Sequence, residues 1–200
     1  MNNPYIIACD IETDGFSHNK NNILELAGVI AVKKNNQYEI IDQFCQRCRP
    51  YDFKHWSVGA EKIHKITMSE AKAAQHPRKM LINFMKFLKP YKAENNDPIL
   101  FIDHSKNRFD YKFIKHLFMK EELLQSFWRV FKENHHKSTV DLIKKYQHIL
   151  GLPDAKLSTA ADYFNIELDH HNALSDAIAC IKLFQILENY KIGIFDLDGI

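Results

Sequence analysis

Two carboxylates stand one residue apart near the start of the sequence. An apolar run, residues 5–9, leads directly into Asp10, and Glu12 follows after one apolar residue. A short apolar run bounded by a turn residue such as Gly15 is typical of a buried central strand. Since side chains alternate along a strand, Asp10 and Glu12 project from the same face. Neighbouring carboxylates at the end of a buried strand repel each other and are poorly hydrated.

This pair of carboxylates has two interpretations. Either one carboxyl group takes up a proton or a cation lies between the two, and hard divalent cations prefer carboxylate oxygens. The alternative is an ordinary exposed acidic strand end, and Asp10 and Glu12 alone do not decide the matter. Carboxylates contributed by other segments would favour a metal site.

A further carboxylate lies in the last predicted helix. Ala173, Ala177 and Cys180 recur there at helical spacing, and Asp176 lies on the same apolar face. A carboxylate on a buried face needs an ion pair or a metal, so a structural salt bridge is the alternative to a metal ligand. His171 stands at or just before the helix start, within reach of the same site.

Asp110 stands at the predicted start of another helix, beside Phe109. Acidic residues are favoured at helix N-termini, because they cap the backbone and interact with the helix dipole. Taken alone, Asp110 therefore fits a structural role.

Five strands that could position these residues are predicted from short apolar runs bounded by polar turns. The polar turn 33–36 joins two of them, so this half of the sheet should be an antiparallel hairpin. The predicted strands are the one that carries Asp10 and Glu12, residues 23–32, the segment from Tyr38 to Phe44, residues 98–102, and residues 139–142, which lead into a helix.

Helices are predicted from capping signals and from apolar residues at helical spacing. Thr67 and Glu70 form a capping box, so a helix should open at Met68 or Ser69. Pro77 suits the first turn of the next helix. Further helices are predicted from Phe109, over residues 157–164, and from about Asn172 to Tyr190. A hairpin-rich first half followed by strand and helix alternation predicts an α/β protein with a mixed sheet flanked by helices.

The composition is that of one globular domain. The chain has 200 residues, 46% of them hydrophobic and 26% charged, which is enough to bury a large core. We assign residues 1–190 to this domain and residues 191–200 to a C-terminal tail. Residues 194–199 resemble the nucleophile motif of haloacid-dehalogenase-type phosphatases, but that motif needs a long domain after it. A coincidental tail is therefore favoured unless the sequence is a fragment.

The bulk charge and the cysteines leave the partner open and favour a reducing compartment. A formal net charge of +2 neither requires nor excludes a nucleic-acid partner. Cys45 and Cys48 have the spacing of a zinc knuckle, but no second pair of ligands is evident, so reduced thiols are favoured. No signal peptide and no window as long as a membrane span is visible. We therefore expect a soluble cytoplasmic protein that contacts no membrane.

The order of the candidate residues resembles that of a known enzyme superfamily. Residues 10–15 (Asp-Ile-Glu-Thr-Asp-Gly), Phe109-Asp110 and residues 171–177 (His-Asn-Ala-Leu-Ser-Asp-Ala) resemble the three motifs of the DEDDh 3′–5′ exonucleases. These include the proofreading subunit of bacterial replicative DNA polymerase. Residues 60–67 and 156–159 resemble further family segments, so the resemblance covers residues 5–188. One departure is His104, which stands one residue too far before Asp110 and lacks the usual neighbouring Asn. This places substrate preference in doubt rather than catalysis.

The resemblance implies a ribonuclease-H-like fold, with a mixed five-stranded sheet, and phosphodiester hydrolysis with two Mg²⁺ or Mn²⁺ ions. Asp10, Glu12 and Asp176 would hold the ion that activates water. Asp10, with Asp110 acting through water, would hold the ion that stabilises the leaving oxygen. His171 would be the general base, because imidazole titrates near neutral pH.

The resemblance also indicates residues that would hold the substrate. Thr13 would close the pocket beyond the terminal sugar, His64 would lie near it, and Phe16 would be a base wedge, although Phe16 fits a core position equally well. Lys106 and Arg108 belong to a basic group around Asp110 that would contact phosphates, and a second basic group includes His136 and Lys137. Surface solvation is the alternative for both groups.

The predicted activity is release of nucleoside monophosphates from single-stranded or frayed 3′ ends, with DNA favoured as the polymer. An exoribonuclease is the first alternative. A non-catalytic nucleic-acid-binding module of the same fold is the second alternative. Such modules normally lose one of the acids or the histidine, whereas this sequence contains all four acids and the histidine. The expected partners are single-stranded nucleic acid with a free 3′ end and a polymerase or another replication or repair protein.

Overall fold

A computed structural model describes the backbone of residues 4–92 and 98–197 and the side chains through residue 189. Its centre is a five-stranded sheet with the order β3-β2-β1-β4-β5. The β1–β2 and β2–β3 pairs are antiparallel, whereas β1–β4 and β4–β5 are parallel. The strands are β1 (Tyr5–Thr13), β2 (Ile23–Lys34), β3 (Gln37–Arg47), β4 (Leu100–Asp103) and β5 (His136–Ser138).

Helices cover the sheet, so the predicted α/β class and the mixed five-stranded sheet are confirmed. The helices are α1 (Val58–His64), α2 (Met68–Ala73), α3 (Pro77–Leu88), α4 (Phe109–Lys120), α5 (Leu124–Trp128), α6 (Thr139–Leu150), α7 (Leu157–Tyr163) and α8 (Ala173–Leu197). Short 3₁₀ turns occupy Lys89–Tyr91 and Lys106–Arg108. No helix of the described ranges is long and apolar enough to cross a membrane.

Side chains of β1 alternate between two apolar layers. Ile7, Cys9 and Ile11 pack into the layer formed with α3, α4 and α5. Ile6 and Ala8 pack into the opposite layer, which is formed with α8. The strand therefore has a core on both faces, as its apolar run predicts, and it lies in the middle of the sheet.

Local signals for the hairpin and for two helices are confirmed. Thr67 accepts from the Glu70 N–H and Glu70 accepts from the Thr67 N–H, which completes the capping box of α2. Pro77 begins α3, and the turn at Asn35 and Asn36 joins β2 to β3 with both residues in the left-handed region. Helix α1, which the sequence pattern does not predict, is a two-turn element with Ser57 as its N-cap.

The predicted strand at residues 139–142 is wrong, because these residues form the first turn of α6. The apolar residues Ile143, Tyr146 and Leu150 pack at helical spacing on α7 and α8. Burial of this face outweighs the strand preference of the β-branched residues at positions 139 and 140. The fifth strand is instead the polar segment His136–Ser138, which exists through its pairing with β4.

The last helix is longer than the sequence pattern predicts. It begins at Ala173 and continues to Leu197, so the first part of the predicted tail is helical. The side chains of the phosphatase-like segment 194–199 lie outside the described residues.

Candidate active site

Asp10 and Glu12 project from β1 toward α8. They continue the alternation of Ile6 and Ala8, whose side chains pack against that helix. Across the antiparallel register Glu12 is paired with Glu25. Burial, together with the charges of Asp176 and Glu25, raises the pKa of Glu12 to about 8.

Asp176 lies on the face of α8 that meets the sheet, and it is 7% exposed. Within the described part of the chain its Oδ1 atom accepts no hydrogen bond. The nearest cationic partner is Nδ1 of His170, at 3.7 Å from that oxygen. Burial raises the pKa of the Asp176 carboxyl group. The salt bridge that the sequence offers as an alternative role for Asp176 is therefore, in the described chain, a long contact with the exposed His170.

Asp110 enters the site from the second position of α4, with 4% exposure. The chain reaches it through Asn107 and Arg108, which both adopt left-handed φ values of 57°. Burial and the charge of Asp103 raise the pKa of Asp110. Non-glycine residues with positive φ are strained, so this connection needs support from its surroundings.

The four acids are electrostatic neighbours. The pKa of the half-buried Asp10 is raised by burial and then by the charges of Asp110, Asp176, Glu12 and Asp103, in that order. No three His, Cys, Asp or Glu side chains of residues 4–92 and 98–189 form a ready-made ligand set. The cluster therefore consists of crowded carboxyl groups whose ionised forms lack compensating charge.

The chemistry of this cluster fits a hard divalent cation. Its donors are carboxylate oxygens, and the unpartnered Oδ1 of Asp176 is a buried acceptor available to a ligand. A cation would stabilise the ionised carboxylates, and small side-chain rotations would have to bring them into a common coordination sphere.

The two histidines before α8 lie side by side. The ring centroids of His170 and His171 are 3.9 Å apart and their planes differ by 27°. His171 is exposed and has a φ of 68°. Partial desolvation and the charges of His170 and Lys65 lower the pKa of His171. The structure thus brings the His170 ring to Asp176 and the His171 ring, the predicted base, onto His170.

The turn after β1 is held by buried polar contacts. Oδ1 and Oδ2 of Asp14 accept from the backbone N–H and the side-chain amide of Asn22, at 2.6 and 2.7 Å. A Cβ atom at Gly15 would lie 2.4 Å from the Asn21 amide, so the turn requires glycine there. Thr13 donates to the Gly15 carbonyl at 2.7 Å. Thr13 is thereby fixed as a turn residue at the end of the acidic strand.

Two residues predicted for the substrate pocket differ in exposure. Phe16 is 83% exposed, which contradicts the alternative that it is a core residue. His64 is 7% exposed, and its Nδ1 accepts from the Ile66 N–H at 3.0 Å. This bond places the proton of a neutral ring on Nε2, which has no hydrogen-bond partner among the described residues. The charge of Glu25, opposite Glu12, acts on the His64 ring.

Lys106 lines two neighbouring cavities, the first of which contains two of the acids, and Arg108 lines the second. The first has a volume of about 560 Å³ and is lined by Asp10, Asp176, His170 and Lys106, among others. The second cavity, of about 660 Å³, is lined by both Lys106 and Arg108. Its other basic residues are Lys137, Lys144 and Lys145, and it is also lined by Asp141 and Glu188.

His136 differs from its predicted place in a basic surface group. Its side chain is 4% exposed and contacts the fully buried Asp103, with Nε2 and Oδ2 2.8 Å apart. Asp103, His136 and His170 are site residues that the sequence motifs do not reveal. For Asp103 the available signal is the same as for Asp10, namely an acid at the end of an apolar strand.

Comparison with known proteins identifies the family and the fold of the chain. A family model described as an exonuclease (RNase T) matches residues 7–184. No curated protein matches the chain. Similar solved structures include E. coli Exonuclease I with a dT13 oligonucleotide, at a TM-score of 0.78 and 18% identity over 96% of this chain and 43% of that one.

Two further structures show the same relationship. Exonuclease I in complex with the inhibitor BCBP gives a TM-score of 0.77 and 17% identity over 98% of this chain and 44% of that one. The zinc-bound E. coli Exonuclease I complex with single-stranded DNA gives 0.76 and 18% over 96% and 42%. At this identity the likeness concerns the fold, and the chain spans less than half the length of Exonuclease I. Since the family match covers nearly all described residues, the chain belongs to the RNase T exonuclease family, as its motifs predict.

Proposed function

We propose that this protein is a metal-dependent 3′–5′ exonuclease that releases nucleoside monophosphates from single-stranded or frayed ends, preferentially of DNA. The observation that carries the proposal is the cluster of Asp10, Glu12, Asp110 and Asp176, four acids from three separate elements whose pKa values are all raised. Clustered titratable groups of this kind are typical of functional sites. Membership of an exonuclease family names the chemistry that such a cluster would perform.

Two Mg²⁺ or Mn²⁺ ions would occupy the cluster. Asp10, Glu12 and Asp176 would hold one ion, and Asp10 and Asp110 the other. The ions would supply the charge that activates water and stabilises the leaving oxygen. The unpartnered Asp176 Oδ1 and the crowded carboxylates support this assignment, because both are costly without a cation.

His171 would act as the general base. Its lowered pKa keeps the imidazole neutral near pH 7, so that the ring can accept a proton from the attacking water. The ring is exposed, and among the described residues its one ring contact is the stack on His170. A side-chain rotation can therefore bring it over the acids without disturbing the core.

The terminal nucleotide would bind beside the turn after β1. Phe16 presents an exposed ring next to the fixed Thr13, and an exposed aromatic ring can stack on any base. The unpartnered Nε2–H of His64 is a buried donor available to a sugar or base oxygen. Lys106 and Arg108 would contact phosphates along the two adjacent cavities.

The proposal also covers the polymer, the protein partner and the location. The oligonucleotides in complex with E. coli Exonuclease I are DNA, which favours DNA as the substrate here, with RNA as the alternative. A polymerase or another replication or repair protein would be the protein partner. We keep residues 1–190 as the exonuclease domain, which encloses the family match. The free cysteines of the described chain suit a reducing cytoplasm.

The test is a panel of single-stranded DNA and RNA oligonucleotides labelled at either end, incubated with Mg²⁺, Mn²⁺ or a chelator. The proposal expects mononucleotides from the 3′ label first, faster on DNA, and no products with chelator. Products released first from a 5′ label would contradict the polarity, and equal activity with chelator would contradict the metal requirement. Binding without cleavage under all conditions would favour the non-catalytic module.

A further inference from the structure

A buried pair of a carboxyl group and an imidazole ring lies beneath the connection that leads to Asp110. Asp103, the last residue of β4, has no exposed surface, and its Oδ2 is 2.8 Å from Nε2 of His136, the first residue of β5. The two residues are 33 positions apart in sequence and meet because β4 and β5 pair in parallel.

Polar contacts tie the pair to the start of the connection at residues 104–110. The Ser105 N–H donates to Oδ1 of Asp103 at 3.4 Å, and the Ser138 hydroxyl donates to the Ser105 carbonyl at 2.8 Å. The Thr139 hydroxyl oxygen lies 3.2 Å from the Asp103 carbonyl oxygen and 2.7 Å from Nδ1 of His104. These bonds fix the start of the segment whose left-handed residues deliver Asp110 to the acids.

Aromatic contacts hold the His136 ring in place. It is stacked near Phe101, with centroids 5.8 Å apart and planes 28° apart, and it meets Tyr111 edge-on at 5.6 Å. Tyr111 directly follows Asp110 on α4. The ring thus contacts both the strand before the connection and the helix after it.

The pair also acts on the acids through charge. Asp103 is among the charges that raise the pKa of Asp10 and of Asp110. Even when ionised, a buried pair of this kind gains little stability over apolar side chains of the same volume, so stability alone is a weak reason for its presence.

We propose that Asp103 and His136 are positioning residues that fix the connection at residues 104–110 and so hold Asp110 where it can bind a cation. The inference rests on the proposed function, because it assigns Asp110 to the metal site. Outer groups of this kind orient metal ligands, and their loss typically lowers metal affinity by about 10-fold to 100-fold.

Three variants separate positioning from simple stabilisation. His136→Ala removes the pair, and His136→Gln keeps a donor near the position of Nε2. Asp103→Asn keeps the volume and removes the charge, so it serves if His136→Ala does not fold. Tyr51→Phe is the matched control, because it deletes a hydrogen bond to the buried Glu121, which caps the C-terminal end of α4, whereas Asp110 lies in the first turn of that helix.

Two readouts are measured on the full chain. Hydrogen exchange of the metal-free protein reports the order of residues 104–110, and calorimetric titration with Mn²⁺ alone reports cation affinity. We expect His136→Ala to accelerate exchange in that segment and to weaken Mn²⁺ binding about 10-fold or more. His136→Gln should recover most of both losses, whereas Tyr51→Phe should change neither.

The inference is overturned if His136→Ala and Asp103→Asn keep wild-type exchange in the segment and wild-type Mn²⁺ affinity, whatever their stability. The exchange readout is independent of catalysis. If the wild type releases no nucleotide from any polymer while His136→Ala still loosens residues 104–110, the proposed function fails and the positioning role stands. If the wild type is active while both variants keep wild-type exchange and affinity, the positioning role fails and the proposed function stands.

Discussion

His170 places Nδ1 3.7 Å from Oδ1 of Asp176, while the adjacent His171 ring stacks on His170 at 3.9 Å. The ring that contacts Asp176 is thus that of His170, whereas the histidine that matches the family motif is His171. A cation at the acids would compete with the contact between His170 and Asp176. The proposed base, His171, and the histidine in contact with Asp176, His170, can therefore be tested separately.

Substitution of the two histidines tests this division. His171→Ala should lower kcat by about 100-fold to 10,000-fold with little change in substrate binding, because a general base contributes on that scale. His170→Ala should have a much smaller effect on kcat. Single-turnover rates and oligonucleotide affinity are the measurements. An unchanged rate in His171→Ala, or a larger loss in His170→Ala, would move the base to His170.

Asp176→Asn should stabilise the metal-free protein and weaken its stabilisation by cations. The variant removes the charge of a buried carboxylate that has no close hydrogen bond at Oδ1. We expect an increase of about 1–3 kcal/mol in the free energy of unfolding without metal. Urea unfolding with and without Mg²⁺ measures both effects. A destabilised variant would show that Asp176 is an ordinary structural acid.

Phe16→Ala should weaken binding of single-stranded ends without loss of stability. The ring is 83% exposed, so its removal costs the fold little. Loss of one stacked base, worth about 1–3 kcal/mol, would raise KM by about 5-fold to 150-fold. Tyr163→Ala is the control, since Tyr163 is 51% exposed on α7 and carries no proposed role. Equal KM values for wild type and Phe16→Ala would exclude a base wedge.

His104 predicts an acid-sensitive component of stability. Its ring contacts the Thr139 hydroxyl and the Ala155 carbonyl at 2.7 and 3.0 Å, and burial lowers its pKa to about 4 despite the facing charge of Asp103. His170 also faces it and lowers the pKa further. Because an unfolded histidine titrates near 6.5, the contribution is complete above that pH and is lost as the pH falls toward 4.

The component from His104 amounts to at most about 3 kcal/mol. It is measured as the difference between unfolding free energies at pH 7.5 and pH 5, in the wild type and in His104→Gln. The variant should be less stable at pH 7.5 but should lose less stability on acidification. An identical pH response in the two proteins would contradict a buried neutral His104.

Much of the acidic site could be predicted from sequence because its signals are local. The apolar run before Asp10 and the alternation along β1 are enough to place Asp10 and Glu12 on one face. The helical stripe around Asp176 likewise places this acid against the sheet. Confirmed caps such as Thr67 with Glu70 are local as well.

The remaining features depend on contacts that no local pattern encodes. The strand His136–Ser138 is short and polar, and it is a strand only because β4 supplies its partners. The pairing of Asp103 with His136 follows from that tertiary contact. The relative order of His170 and His171 around Asp176 depends on the left-handed backbone at His171.

The acidic cluster is tested most simply by the Mg²⁺ dependence of mononucleotide release from a 3′-labelled single-stranded DNA, measured for the wild type, Asp10→Asn and Asp110→Asn. We expect saturable activation of the wild type by Mg²⁺ and no activation of Asp10→Asn, which lacks a ligand shared by both ions. Asp110→Asn should lose most of its activity, and all three proteins should be folded. Full activity of either variant, or of the wild type in excess chelator, would contradict a cation site at these acids.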